Sequence, residues 1–64
     1  MNKREWDSEV IYCERVAKTF PVEAGNFNHD RSVFRAYCEM QAAMARREGF
    51  GVIAQRIDAA RKRV

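Results

Sequence analysis

The sequence contains one proline, three glycines, one histidine and two cysteines in 64 residues, and each shortage excludes something. With so few turn formers, a sheet of many short strands has nowhere to reverse direction, so a few long helices are expected. Cys13 and Cys38 form no CxxC pair, and His29 has no second histidine. A structural zinc site needs four ligands, with pairs of them a few residues apart, so none is expected. Two serines, one threonine and one histidine give no nucleophile with a base and a group to orient it. His29 and Asp30 are adjacent, and on a helix adjacent residues point apart. No glycine-rich phosphate loop is present, and Gly49-Phe50-Gly51 reads as a break between helices. The chain is therefore read as non-enzymatic, with no catalytic residue, no metal and no cofactor.

Long apolar runs are also missing. None approaches the roughly 18 residues of a membrane-spanning helix. The first residues, MNKREWDSE, are charged with no apolar stretch behind them, so no secretory leader is expected. A cytoplasmic location with two free, buried thiols follows as the expectation.

What is present fits a small helical domain. Hydrophobic residues make up 47 % and charged residues 33 %, too apolar for disorder. A chain this short is one domain, residues 1–64, and buries only roughly 60 % of the surface it exposes when unfolded. Disulfides, metals or a partner subunit commonly supplement such small cores.

Three helices are predicted, over about residues 3–20, 30–48 and 52–63. In the first, Asn2 and Glu5 make a capping box. Trp6, Val10, Cys13, Ala17 and Phe20 form a seam stepping by four and three, and Glu14 can pair with Lys18 on the wet side. Pro21 ends the helix, can start one more helical turn, and Gly25 would stop it. Phe27 is expected to tuck onto the core. Asp30 is the predicted cap of the second helix, with Asn28 as the alternative.

The second helix carries two apolar rows, Val33, Tyr37, Met40 and Met44 beside Phe34, Cys38, Gln41 and Ala45. That width predicts a central helix with neighbours on more than one side, and the first row is taken as its inward seam. Gly49 is the expected left-handed ending with Phe50 folding back. Gly51 then caps a third helix whose seam is Ile53, Ile57, Ala60 and Val64, with Asp58 placed to pair with Arg61 and Lys62. A continuous rod across Gly49 and Gly51 is the rival, at about 2 kcal/mol for two interior glycines. The expected fold is an all-α compact three-helix bundle. The alternative is a helical hairpin that dimerises into a four-helix bundle.

Two functional surfaces emerge. After each helix has spent one seam on the core, Ile11, Tyr12, Val16, Val33, Phe34 and Ala42 remain, and surplus apolar surface marks a protein interface. Tyr12 and Val16 are the predicted patch, with Ile11 on the same side of the helix and Trp6 and Phe34 as bordering anchors. The partner is unspecified, and a homo-oligomer, first a dimer, is the expected form. The second surface is basic. Met1 to Ala45 holds six basic and seven acidic residues, Arg46 to Val64 six basic and two acidic. Arg46, Arg47, Arg56, Arg61, Lys62 and Arg63 are thus candidates for phosphate contact, although cations also favour helix C-termini. A helix-turn-helix over Ala45–Asp58 has its alanine and glycine four apart, but Glu48, Gln55 and Asp58 fall where its core wants apolar side chains.

A tiny chain without chemistry and with surplus apolar surface resembles, in type only, the small regulators and inhibitors that phages and plasmids encode. The reading is a small protein-binding regulator or inhibitor that blocks a host or phage regulator or a defence protein. The alternative is a small nucleic-acid-binding regulator using the basic C-terminal helix.

Overall fold

Each helix starts and stops on residues that its own sequence supplies. A computed structural model describes all 64 residues. Helix α1 spans Lys3–Thr19. It opens on a reciprocal cap: Glu5 N–H donates to the Asn2 side chain at 2.9 Å, and Asn2 N–H donates to the Glu5 carboxylate at 2.9 Å. A cap of this kind contributes about 1 kcal/mol. The helix stops one residue early, because Phe20 is already extended (ψ 135°) ahead of Pro21.

The extra helical turn expected after Pro21 is replaced by two tighter ones. Ala24 N–H bonds to the Pro21 carbonyl, and a 3-10 turn follows over Gly25–Phe27. Asn28 and His29 then take positive φ, 55° and 54°, which reverses the chain without glycine; Asn and His are among the residues that tolerate this region best.

Helix α2 spans Arg31–Arg47, and the Asp30 carboxylate accepts from Ser32 N–H at 2.8 Å and Val33 N–H at 3.4 Å. Its end is the predicted Schellman turn. Gly49 has φ 91°, Phe50 N–H reaches the Ala45 carbonyl at 2.8 Å, and Gly49 N–H reaches Arg46 at 3.1 Å. The continuous rod is thereby excluded. Helix α3 spans Gly51–Lys62. Gly51 is its first residue, not its cap; Phe50 holds the cap position and supplies no side-chain hydrogen bond.

The helices form an all-α three-helix bundle 30 Å long and 18 by 16 Å across. Ion pairs Arg46–Asp58 and Glu39–Arg61 step in opposite directions along α2 and α3, so these two are antiparallel. Lys3 and Asp7 lie by Gly51 and Val52, Glu14 by Arg56, and Lys18 by Arg63, so α1 and α3 run parallel.

The central helix is α3, not α2: its backbone lies close to both others, while α1 and α2 stand farther apart. Alanines account for this. Buried Ala54 is four residues before Asp58, which reaches Arg46 of α2. Buried Ala60 is four after Arg56, which reaches Glu14 of α1. Each flank of α3 thus presents a small residue to its neighbour. The wider gap between α1 and α2 is filled by aromatic rings. Phe27, tucked in from the loop as expected, meets Phe34 edge-on at 5.1 Å, Tyr37 at 5.0 Å and Tyr12 at 6.2 Å.

The inward face of α2 also differs from expectation. Phe34, Cys38, Gln41, Ala42 and Ala45 are buried, whereas Val33 and Met40 are 42 % and 53 % exposed and Met44 is exposed as well. Both neighbours of α2 lie on one side of it, so only one of its two rows can be covered. Tyr37, at the boundary between them, is half-buried.

Candidate interaction surfaces

The apolar patch expected on α1 does not assemble. Trp6, Val16 and Phe34 have essentially no exposed surface and belong to the core. Trp6 is pinned by its indole N–H, which donates to Glu48 at 2.7 Å. Val16 lies in the hydrophobic core, and Phe34 fills the gap between α1 and α2 against Phe20 and Phe27. Ala42 is likewise buried. Tyr12 is half-buried: Phe27 tilts against its ring, Arg15 lies over that ring at 6.0 Å, and its hydroxyl accepts from Asn26 at 3.0 Å. Ile11 is exposed, but it shares the outer face of α1 with Arg4, Ser8 and Arg15. A lone aliphatic among polar residues is ordinary surface.

A different apolar surface does exist, on the back of α2. Val33, Ala36, Met40 and Ala43 step by three, four and three, and all are exposed. Half-buried Tyr37 and exposed Met44 widen this row on the side nearer α1. Between Val33 and Ala43 the row holds no charge, and it ends at Arg47, which makes no ion pair. Alternating steps of three and four are the seam spacing of packed helices. The row was visible in the sequence as Val33, Tyr37, Met40 and Met44. What was missed is that Ala36 and Ala43 belong to it, because alanine carries little weight in a hydropathy reading although it is what lets a second helix approach.

Where α1 faces α2, polar and thiol groups meet. The Glu9 carboxylate accepts from the Tyr37 hydroxyl and from Cys13 Sγ, the latter at 3.6 Å. Gln41 sits beside the Tyr37 oxygen at 3.5 Å. Burial, and next the Glu9 carboxylate, push the Tyr37 phenol above its ordinary value. The neighbouring Cys38 and burial do the same to the Cys13 thiol. The Cys13 thiol in turn holds the Cys38 thiol below its ordinary value. The hydrogen bonds from Tyr37 and Cys13 to Glu9 make this cluster a polar buttress between two helices. Both cysteines are free and buried. His29 and Asp30 diverge as expected: the imidazole Nδ1 lies 2.6 Å from the Pro21 carbonyl, while Asp30 caps α2.

The six candidate basic residues do not form one surface. Antiparallel packing puts Arg46 and Arg47 at one end of the bundle and Arg61, Lys62 and Arg63 at the other. Three are committed internally. Arg46 pairs with Asp58 at 2.9 Å. Arg61 lies between Glu39 and Asp58 at 3.8 and 3.9 Å. Arg56 grips Glu14 with two bonds of 2.7 and 3.0 Å, which raises the guanidinium pKa further. Glu14 therefore serves α3 and not Lys18 as expected, and Asp58 takes Arg46 and Arg61 but not Lys62. Arg47, Lys62 and Arg63 have no carboxylate partner.

Two open hollows flank α3. One, of about 350 Å³, lies between Lys3 and Asp7 of α1 and the Gly49–Ile53 turn. The other, of about 520 Å³, is lined by Ala17, Lys18, Phe20, Arg31, Arg63 and Val64. No helix is long and apolar enough to cross a membrane. No protein-family model, curated protein or solved structure matches the chain.

Proposed function

We propose that the protein is a small non-enzymatic regulator that acts in the cytoplasm by binding another protein along the back of α2. The observation that supports this reading is the exposed row Val33–Ala36–Met40–Ala43 on a molecule whose core is already closed without it. Ordered apolar surface at helix-packing spacing gains free energy only when covered. Methionine suits such a surface, because its flexible thioether fits partners of varied shape. A regulator or inhibitor of a host or defence protein needs a small rigid body with one sticky face.

The first occupant we assign is a second copy of the chain. An antiparallel pairing of two α2 helices about Met40 sets the alanines of one row against those of the other. It also brings each unpaired Arg47 within about one helical turn of Asp30 in the other copy. Covering the rows would couple folding to association, which suits a domain of this size. Sedimentation equilibrium from micromolar to millimolar concentration tests the assignment. The wild type should dimerise, and Met40→Glu should be a folded monomer. A wild type that is monomeric throughout, with a melting temperature independent of concentration, rules out the second copy and leaves the row to a foreign protein.

A further inference from the structure

The hollow at the end of the bundle where α1 and α3 finish and α2 begins has an unusual lining. It draws one cation from each helix region: Lys18 from the last turn of α1, Arg31 from the start of α2, and Arg63 from the cap of α3. Its floor is Ala17, Phe20 and Val64, and no carboxylate side chain lines it. The nine aspartate and glutamate side chains are all engaged elsewhere, by caps, hydroxyls, the Trp6 indole or other cations. None forms an ion pair with these three residues.

Helix dipoles account for part of this arrangement. Cations are favourable at helix C-termini, which suits Lys18 and Arg63. Arg31 stands at the opposite kind of end, the first residue of α2, where a cation is unfavourable. Its guanidinium turns into the hollow and donates to the Val64 main-chain oxygen. With that oxygen taken, Lys18 and Arg63 are left facing outward with no protein acceptor.

We propose that this hollow binds the phosphodiester backbone of a nucleic acid, independently of base sequence. The hollow is wide and open to solvent, so a single small anion would keep most of its water there and gain little. A polymer presenting successive phosphates gains from counterion release at every contact. Lys62, next to Arg63, and Arg35, one turn after Arg31, add cations beside the hollow that can follow a backbone past it, while Asp30 and Glu23 at the same pole are held by the α2 cap and the Thr19 hydroxyl. Arg47 lies at the far end of the bundle and takes no part.

Fluorescence anisotropy with a mixed-sequence duplex of about 20 base pairs, titrated between about 50 and about 200 mM salt, tests the site. Three phosphate contacts give a slope of log affinity against log salt of roughly −2.7. Lys18→Gln and Arg63→Gln should each flatten that slope by about one, and the double variant by about two. Both residues are exposed, and circular dichroism verifies that the variants stay folded. Arg47→Gln should leave the slope unchanged, as should Met40→Glu, so failure here is separable from failure of the α2 interface. An unchanged slope in the double variant overturns the proposal, as does equal flattening by Arg47→Gln. Polyglutamate competing as well as the duplex would overturn the phosphate assignment. Inorganic phosphate or a nucleoside triphosphate displacing the duplex at micromolar concentration would overturn the polymer in favour of a small phosphate ligand.

Discussion

The two rows of α2 are near equals in the sequence and opposites in the structure. Val33, Tyr37, Met40 and Met44 are the larger and more apolar set. Phe34, Cys38, Gln41 and Ala45 include a glutamine and an alanine, yet they are the buried ones. Burial here followed shape more than hydropathy. Ala42 and Ala45 let α2 lie close to α3, and Phe34 fills the wide side toward α1. An inward row of valine and methionine would hold the helices apart and leave the aromatic cluster of Phe27, Phe34 and Tyr37 without a gap to fill. Gln41 is tolerated at the boundary because the Tyr37 oxygen lies beside its amide.

The strongest way to break this contrast is to empty the inner row. Phe34→Ala should destabilise by about 3–5 kcal/mol, enough to unfold much of so small a domain, and urea melts followed by circular dichroism would measure it. A loss below about 1 kcal/mol would show that Phe34 is not the keystone of the α1–α2 gap.

Next in size is the turn that decides which row α3 covers. Gly49 sits at φ 91° with open space where a Cβ would go, so Gly49→Ala meets backbone strain and no clash. A loss of about 1 kcal/mol is expected. A gain of similar size would mean that α2 and α3 run on as one helix and that the contrast between rows is misassigned.

A smaller effect comes from the residue beside that turn, Glu48, where α1 is tied down. Hydrogen bonds from the Trp6 indole, and next from the Met1 ammonium, hold the Glu48 carboxyl below its ordinary 4.5. The stabilisation is therefore complete above 4.5 and is lost as pH falls through the lower folded-state value. The Met1 ammonium is shifted upward from 8.0 by the same contact, so its share is lost as pH rises through its raised value. Melting temperatures from about pH 6 down to about pH 3 should fall more steeply in the wild type than in Glu48→Gln. Parallel curves would remove Glu48 as the tie.

The smallest effect sharpens the contrast from the outer side. Met40→Asp, measured on the monomer at high dilution, should change stability by no more than about 0.5 kcal/mol, since over half of Met40 meets water. A severe loss would place Met40 inward after all.

Much of this fold is local chemistry, and local chemistry can be read along the chain. The Asn2–Glu5 box, the Asp30 cap, the break before Pro21 and the Gly49 ending each depend on residues within one turn of each other, so spacing alone specified them. The α1 seam through Trp6, Val10, Cys13 and Ala17 was legible for a similar reason, since its steps of four and three lie within one helix. Where two rows competed, on α2, the chain held no local signal to choose between them. The choice depended on the distances at which α1 and α3 settle, which alanines and aromatic rings from three separate segments set together. The same holds for the surfaces. The sequence could count surplus apolar residues and cations, but Trp6, Val16 and Phe34 were absorbed by a core whose width only packing defines. Lys18, Arg31 and Arg63 met because helix directions place one start and two ends at the same pole. Local hydrogen bonds made the helices; the side on which each finds its neighbours is a property of the assembled bundle.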